Sequence, residues 1–394
     1  MNNPFFSIII PTRNRPDLLR DSILSVLLQN FEDYEVVVSD NFNDEKTQKV
    51  IDEFTGYGRF RFVRSERLLS MPEHWEFASR QAKGTYVLFV TDRSVLKQNA
   101  LRTIYTAIKA ENGDVQICSW SWSLYDDVAG REFGQFYRRK ESRAEIIPSQ
   151  LITKNFTEVI SQYPYSLPRG MNSCYRRDLV SSLQEQYGAV FRPISPDFTS
   201  AFLLLAHVNK VMFIDQSLFL SQGLDVSNGG NTYAKTAAKY LQSLGERNWF
   251  THVPIKSPLV ENTIFQDYLS IQEMAGGTLS HVKINWIVYF EKTYREIIEK
   301  KGAGLLSKKE LNELYLEWSL ALAAFDSSLQ NEVHRRVKRL IFPRLKAQLK
   351  SSDIGPIAVR LKRAIDIIRQ HRWHVGKHQS ALEAAGFAKH FFQK

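Results

Sequence analysis

Cysteine is nearly absent from this chain of 394 residues: Cys118 and Cys174 are the only two, and they lie far apart. They make neither a disulfide framework nor a cysteine-based metal motif, so they are expected to be free thiols of a reducing compartment. Long apolar runs are missing as well. The nearest, Phe198 to Val208, falls well short of the ~20 residues needed to span a bilayer. The opening Met1-Asn2-Asn3-Pro4-Phe5-Phe6 lacks the basic start and apolar core of a secretion signal, so the chain is expected in the cytoplasm. No internal repeat and no low-complexity segment interrupts it. Acidic residues are scarce in one region. From Glu332 to Lys394 there are 15 Lys and Arg against 4 Asp and Glu, a balance of +11, while the whole chain carries +10. The rest is therefore close to neutral, and the basic character belongs to the tail.

What is present reads as alternating strands and helices. The length and an apolar content of 43% allow two domains, or one domain with a large appendage. Ser7 to Ile10 is a β-branched run stopped by Pro11, and Glu35 to Ser39 is a second buried strand ending at Asp40-Asn41. Further strands are expected at Phe60 to Val63, Tyr86 to Val90, Val115 to Trp120 and Val211 to Asp215. Helical spacing falls between them, at Leu19 to Leu27, Val50 to Phe54 (with Asn43-Asp44 as cap), Met71 to Ala82, Leu101 to Ile108 and Pro196 to Ala206. This alternation argues for βαβ units, an α/β fold and a mostly parallel sheet with ligands at the carboxyl ends of its strands. From Asp126 to Pro168 the pattern loosens, and beyond about residue 235 helical patterns dominate. The strand from Tyr86 ends on Asp92, where a diphosphate and its cation would sit, but Arg93 follows it.

Three of these segments carry a resemblance. Ser7-Ile8-Ile9-Ile10-Pro11-Thr12-Arg13-Asn14-Arg15 is similar to the opening strand and loop of family 2 glycosyltransferases. Glu35-Val36-Val37-Val38-Ser39-Asp40-Asn41 resembles their second strand with its terminal acid. Gly84 to Asp92 resembles the strand that delivers their metal-binding acids. With Pro196-Asp197 downstream, the resemblance covers roughly residues 5 to 230, and the order and spacing of the pieces carry it. It implies the GT-A fold and inverting transfer of a sugar from a nucleotide donor. On this reading residues 1–232 form the GT-A domain and 233–394 a helical C-terminal domain with the basic tail.

The resemblance also implies roles. Pro11, Thr12, Arg13 and Asn14 would offer backbone and short polar groups to a base and ribose, and Asp40, with Asn41, would bind the donor nucleotide. Taken without the other motifs, Asp40 only starts a turn. Asp197 matches the family's general base, the carboxylate that takes the proton from the acceptor hydroxyl. An acid at a helix start is also explained by the macrodipole alone, and Pro196 stands where the family often has a second acid. Aligned on Val95-Leu96, Thr91 and Arg93 occupy the places of the two metal-binding acids, with Asp92 between them. Three readings are open. Arg93 replaces the metal by pairing with phosphate; Asp92 alone holds Mg²⁺ or Mn²⁺ through water; or the donor site is dead and the domain is a scaffold.

Other residues have a functional and a plain reading each. Arg64, Arg67, His74 and Trp75 lie where the family contacts the donor, although Trp75 reads better as core. Arg176 and Arg177 are acceptor contacts or surface charges, and Asn228-Gly229-Gly230 is a closing loop or a turn. Glu246-Arg247-Asn248-Trp249 resembles the Gln-x-x-Arg-Trp of processive synthases without its Gln, which favours addition of a single sugar. In the tail, Val333, Val337, Leu340 and Ile341, and then Ile357, Leu361, Ile365 and Ile368, form apolar faces beside Arg and Lys. Such helices suit an anionic membrane surface, packing on the catalytic core, or a second subunit; nucleic acid is a minor option, since no binding module accompanies the charge. The expectation is a glycosyltransferase on the inner face of the cell membrane. It would use a UDP-sugar by default and a glycan or lipid-linked acceptor, in surface polysaccharide synthesis. The competing class is a catalytically degenerate GT-A scaffold or sugar-nucleotide-binding protein.

Overall fold

Every residue of Phe6–Thr12 (β1) is buried, as a central strand covered on both faces requires. The computed structural model describes residues 3–42, 45–111, 115–134, 144–158, 166–223, 231–245, 247–349, 374–375 and 378–388. After β1 come Pro16–Leu27 (α1), Tyr34–Asp40 (β2), Glu45–Asp52 (α2), Phe60–Arg64 (β3), Met71–Ser79 (α3) and Tyr86–Phe89 (β4). Then follow Ser94–Leu96 (β5), Ala100–Ala110 (α4), Ile117–Asp126 (β6), Arg131–Phe133 (β7), Ala144–Pro148 (β8) and Ser149–Glu158 (α5). Ser173–Arg176 (β9), Arg177–Tyr187 (α6), Pro196–His207 (α7) and Lys210–Ser221 (β10) complete the sheet region, apart from one strand near the chain end. The helices Asn231–Ser243 (α8), Val260–Ala275 (α9), Trp286–Gly302 (α10), Lys308–Ala323 (α11) and Ser327–Leu349 (α12) follow, and then the short strand His374–Val375 (β11).

Strands β3, β2, β1 and β4 are neighbours in that order, all parallel. Strand β9 pairs antiparallel with both β4 and β6, and β10 runs parallel to β6. The parallel half is the one anticipated; the inserted β9 makes the whole sheet mixed. Its sequence, Ser-Cys-Tyr-Arg, is not the continuous apolar run that marks the equally short β4, so β9 carries no strand signal of its own. The loose segment after Asp126 contains β7, β8 and α5, which are equally short or interrupted.

Alternate residues of a strand point to opposite faces, and the core divides accordingly. Ile8, Ile10, Val36, Val38 and Leu88 pack with Leu19 and Ile23 of α1 and with Leu101 and Ile104 of α4. Ile9, Val37, Val87 and Phe89 pack with Trp75 of α3 and Phe198, Phe202 and Leu203 of α7. Trp75 lies flat on Phe89, with ring centroids 5.1 Å apart. A Cβ added at Gly170 would stand 2.7 Å from the Trp75 ring, so this tryptophan is core rather than a sugar platform. A third cluster, built on Phe265, Tyr289, Phe290, Trp318 and Val333, holds the C-terminal helices together.

The chain end returns to the first core. Ala381, Leu382, Ala385 and Phe387 pack into the face lined by α1 and α4. The Gln98 backbone N–H donates to the Ala385 carbonyl at 2.9 Å, and β11 pairs with β7. The apolar positions Ile357 to Ile368 expected in the tail lie outside the described residues.

Candidate functional site

Parallel pairing sets the carboxyl edge of the sheet. Thr12, Asp40 and Arg64 are register partners on β1, β2 and β3, so they stand in one row where these strands end. Asp40 is fully buried. The Arg64 guanidinium reaches its Oδ2 at 3.0 Å through both Nε and Nη2, and Nη2 also donates to Gln48 Oε1 at 2.8 Å. Arg64, singled out on its own from sequence, is thus the counter-charge of Asp40. The Asn41 side chain serves the fold: its Nδ2 donates to the Leu69 carbonyl at 2.8 Å, and its Oδ1 accepts from the Leu69 N–H at 2.9 Å. It sews the loop after β3 to the end of β2. Pro11 is buried in β1, while Arg13 and Asn14 are exposed on the loop that follows. Asn14 has φ 55°, a left-handed conformation that asparagine tolerates better than most residues.

Asp92 lies beneath that loop, just past the end of β4. It is buried, accepts from Thr12 Oγ1 at 3.2 Å and from Arg15 Nη1 at 3.1 Å, and takes a further bond from the Arg13 backbone N–H. Burial pushes its pKa up, and Arg15 and the Arg13 N–H oppose the shift. Arg93 is partly exposed, and its Nη1 donates to the carbonyls of Gln222 and Gly223 at 3.0 Å each. A divalent cation wants several carboxylate or carbonyl oxygens. Here both oxygens of the one carboxylate are engaged by protein donors, two of them from arginines, and a third arginine follows in sequence. These residues do not fit a cation site, and among the described residues no group of three His, Cys, Asp or Glu could hold one.

The second half of the site is the start of α7. This helix leads through Val208-Asn209 into β10, which is parallel to β6. Its first turn therefore lies at the carboxyl edge of the strands. Asp197, the second residue of α7, is half-buried. Burial raises its pKa, and the Arg169 charge opposes that shift. Arg169 is not among the residues that the sequence points to. Its guanidinium lies between two aromatic rings, 4.6 Å from Trp122 on β6 and 5.0 Å from Phe198 on α7. Nothing local in the sequence marks it, because Trp122, Phe198 and Asp197 meet it only through the fold. Asp267 on α9 accepts from the backbone N–H groups of Ile194 at 2.8 Å and Ser195 at 2.9 Å. It fixes the approach of the chain to α7, and its pKa is pushed up to about 7, mainly by burial.

Several expected contacts fall elsewhere. His74 is buried and bonded through Nε2 to Ser39 Oγ at 3.0 Å, so it faces the sheet rather than a ligand. Arg67 pairs with Glu73 at the surface. Arg176 is the register partner of Tyr86 at the amino end of β4, so Arg176 and Arg177 lie on the edge opposite to Asp40. With Lys109, Phe5 and Asp178 they line a cleft of about 350 Å³ at that opposite edge. Arg247 stacks on the Trp249 ring at 3.6 Å and lines a second cleft of about 290 Å³. Glu246 and Asn228-Gly229-Gly230 lie outside the described residues.

The description "Glycosyl transferase family 2" belongs to the family model that matches residues 7–164. GalNAc(5)-diNAcBac-PP-undecaprenol beta-1,3-glucosyltransferase of Campylobacter jejuni is 31% identical over 103 residues, covering 26% of this chain and 33% of that protein. Poly(ribitol-phosphate) beta-N-acetylglucosaminyltransferase TarP of Staphylococcus aureus is 32% identical over 116 residues, covering 28% of this chain and 35% of that protein. The chain thus spans about a third of the length of these two curated relatives. The crystal structure of S. aureus TarS 1–349 in complex with UDP-GlcNAc aligns over 86% of this chain and 92% of that chain, with TM-score 0.48 and 14% identity.

The buried His74 carries a pH signature. Burial lowers its pKa from 6.5 to about 4, with a smaller contribution in the same direction from Arg13, while a hydrogen bond with the Ser39 backbone resists. The folded state therefore binds fewer protons than the unfolded state between these values, and stability is lost as pH falls through 6.5 toward 4. The loss can reach about 3 kcal/mol. Asp267 and Asp21, the latter raised to about 6 mainly by burial, act in the opposite sense but are common to wild type and a His74→Gln variant. By denaturant titration, the stability advantage of wild type over His74→Gln should shrink by about 2 kcal/mol between pH 7.5 and pH 5. A difference that does not change with pH would show that His74 accepts its proton in the fold.

Proposed function

We propose, since residues 7–164 belong to glycosyl transferase family 2, that this chain is an inverting glycosyltransferase that moves one sugar from a nucleotide-sugar to an acceptor hydroxyl. The observation that carries the reading is Asp197: a carboxylate at the carboxyl edge, raised by burial and checked by Arg169, in a residue that is only half-buried. A general base works best when its pKa approaches the working pH while its ionised form persists. Burial supplies the first condition; Arg169 and the N-terminal dipole of α7 supply the second. In a single displacement the acceptor oxygen bonds to the anomeric carbon as its proton passes to Asp197. The bond from that carbon to the donor diphosphate breaks, and the electron pair leaves with the diphosphate. Asp40 with Arg64, and the exposed Arg13-Asn14 loop, are the donor-nucleotide side of this arrangement. In this reading Arg93 meets the negative charge of the departing diphosphate, which a guanidinium would stabilise.

A UDP-linked sugar is the default donor. The two relatives act, by their names, on an undecaprenol-linked glycan and on poly(ribitol-phosphate). We extend that class to this chain as a glycan or lipid-linked glycan acceptor of surface polysaccharide synthesis. The basic segment from Glu332 to Lys394 suits an anionic inner membrane surface; among the described residues no helix is long and apolar enough to cross a membrane. One observation favours the second reading, a degenerate scaffold: the acid at the diphosphate position, Asp92, is sealed by Arg15 and Thr12.

Donor hydrolysis and transfer assays separate the two. Asp197→Asn should lower turnover about 100- to 10,000-fold while UDP still binds, and equal turnover in the two proteins would sink the assignment. Arg169→Met removes the charge that keeps Asp197 ionised, so the acid limb of the pH–rate profile should move to higher pH; Arg169→Lys should restore it. An unmoved limb would detach Arg169 from the base. If arginine serves in place of a cation, wild-type turnover should survive EDTA, and Arg93→Ala should weaken UDP binding and abolish transfer. Complete loss in EDTA with recovery in Mn²⁺ would overturn the metal-free version. Co-sedimentation with vesicles should rise with their anionic lipid content, and indifference to that content would rule out the membrane surface.

A further inference from the structure

We infer that Phe42 is the platform on which the nucleobase of the donor stacks. The inference rests on the nucleotide-sugar reading above. Phe42 immediately follows Asp40-Asn41, and its backbone N–H donates to the Asp40 carbonyl at 3.1 Å. Two features of it are unfavourable in the protein alone. Its φ is 67°, a left-handed conformation that is an outlier for a bulky residue and costs about 1–2 kcal/mol. Its side chain is also 46% exposed, so the strain is not offset by full burial of the ring. Among the described residues no aromatic ring contacts it.

The surroundings hold Phe42 in this conformation. The Asn41 N–H donates to the Thr12 carbonyl at 3.0 Å, and the Ser65 N–H to the Asp40 carbonyl at 3.2 Å. The Asn41 side chain is bonded to Leu69 on the neighbouring loop, where Leu68 is 51% exposed. Two adjacent loops at the carboxyl edge therefore each present an apolar side chain to solvent, beside the ion pair of buried Asp40 with the partly exposed Arg64. A nucleobase suits such a place, since it offers a flat apolar face to a ring and polar N–H groups at its rim. Local strain that the surroundings over-determine is a mark of binding sites. Stacking on an aromatic side chain is indifferent to base identity, so Phe42 sets affinity for nucleotides in general and leaves discrimination to polar neighbours.

The test compares wild type with Phe42→Gly, Phe42→Trp and Phe42→Tyr by calorimetric titration of UDP, GDP and inorganic pyrophosphate, alongside thermal denaturation. Glycine accepts a positive φ without strain, so Phe42→Gly should melt no lower than wild type without ligand. Its affinity for the best-bound nucleotide should fall about 5- to 150-fold, while pyrophosphate binding stays unchanged. Phe42→Trp and Phe42→Tyr should retain nucleotide affinity. If wild type binds a nucleotide and Phe42→Gly binds it within twofold, the platform is overturned while the donor reading stands. Equal weakening of nucleotide and pyrophosphate also overturns it, since the effect would not be on the base. A wild type that binds no nucleotide overturns the donor reading from which the inference starts.

Discussion

A carboxylate with almost no access to water, Asp92, is tied down by Arg15, Thr12 and the Arg13 backbone N–H. An ionised carboxylate in such a place is strongly unfavourable unless it is paired and hydrogen-bonded. The bonds that satisfy Asp92 all come from the β1–α1 segment, so they join that segment to the end of β4. The exposed Arg13 and Asn14 are thereby held above the edge, and Arg93, next in the chain, is aimed at the end of β10. Losing Arg15 would leave a buried charge without its partner, and such losses typically cost about 3–5 kcal/mol. Asp92 thus fixes the loop after β1 against the end of β4 at the carboxyl edge.

Asp92 and Asp197 show how two identical side chains are given different work by their surroundings. Both have pKa values raised by burial, and both have an arginine that opposes the rise. Asp92 spends its oxygens on protein donors. Asp197 is half-buried and feels the charge of the Arg169 guanidinium, which lies against two rings. That difference in access, rather than in acidity, is what favours Asp197 over Asp92 in the proposed role of general base. Asp267 supports it from behind by bonding the two backbone N–H groups that precede α7.

The parts of this architecture that can be read in advance are those with strong periodicity. The β-branched runs of β1 and β2 and the apolar spacing of α1, α4 and α7 each state their class within a few residues. Their order, with acids at the ends of two strands, is enough for the α/β fold and for the family resemblance of residues 7–164. The short strands β5 and β9 cannot be read, since neither carries the continuous apolar run that marks β4. At Asp92 the acid is visible and its partners are not: Arg15 and Thr12 lie 77 and 80 residues away in sequence. His74 and Asn41, plausible as ligand contacts by position, are joined instead to Ser39 and to the Leu69 loop.

Local chemistry therefore suffices for strand and helix, for the row of strand ends and for the inventory of acids and arginines, because these depend on neighbours within a turn or a pleat. Which acid is sealed and which is half-buried depends on packing between segments far apart in the chain. The sandwich of Arg169 between Trp122 and Phe198 exists only once β6 and α7 lie on the same sheet. Burial and charge pairing are properties of that assembled edge. No stretch of sequence carries them alone, because desolvation is set by everything that surrounds a group.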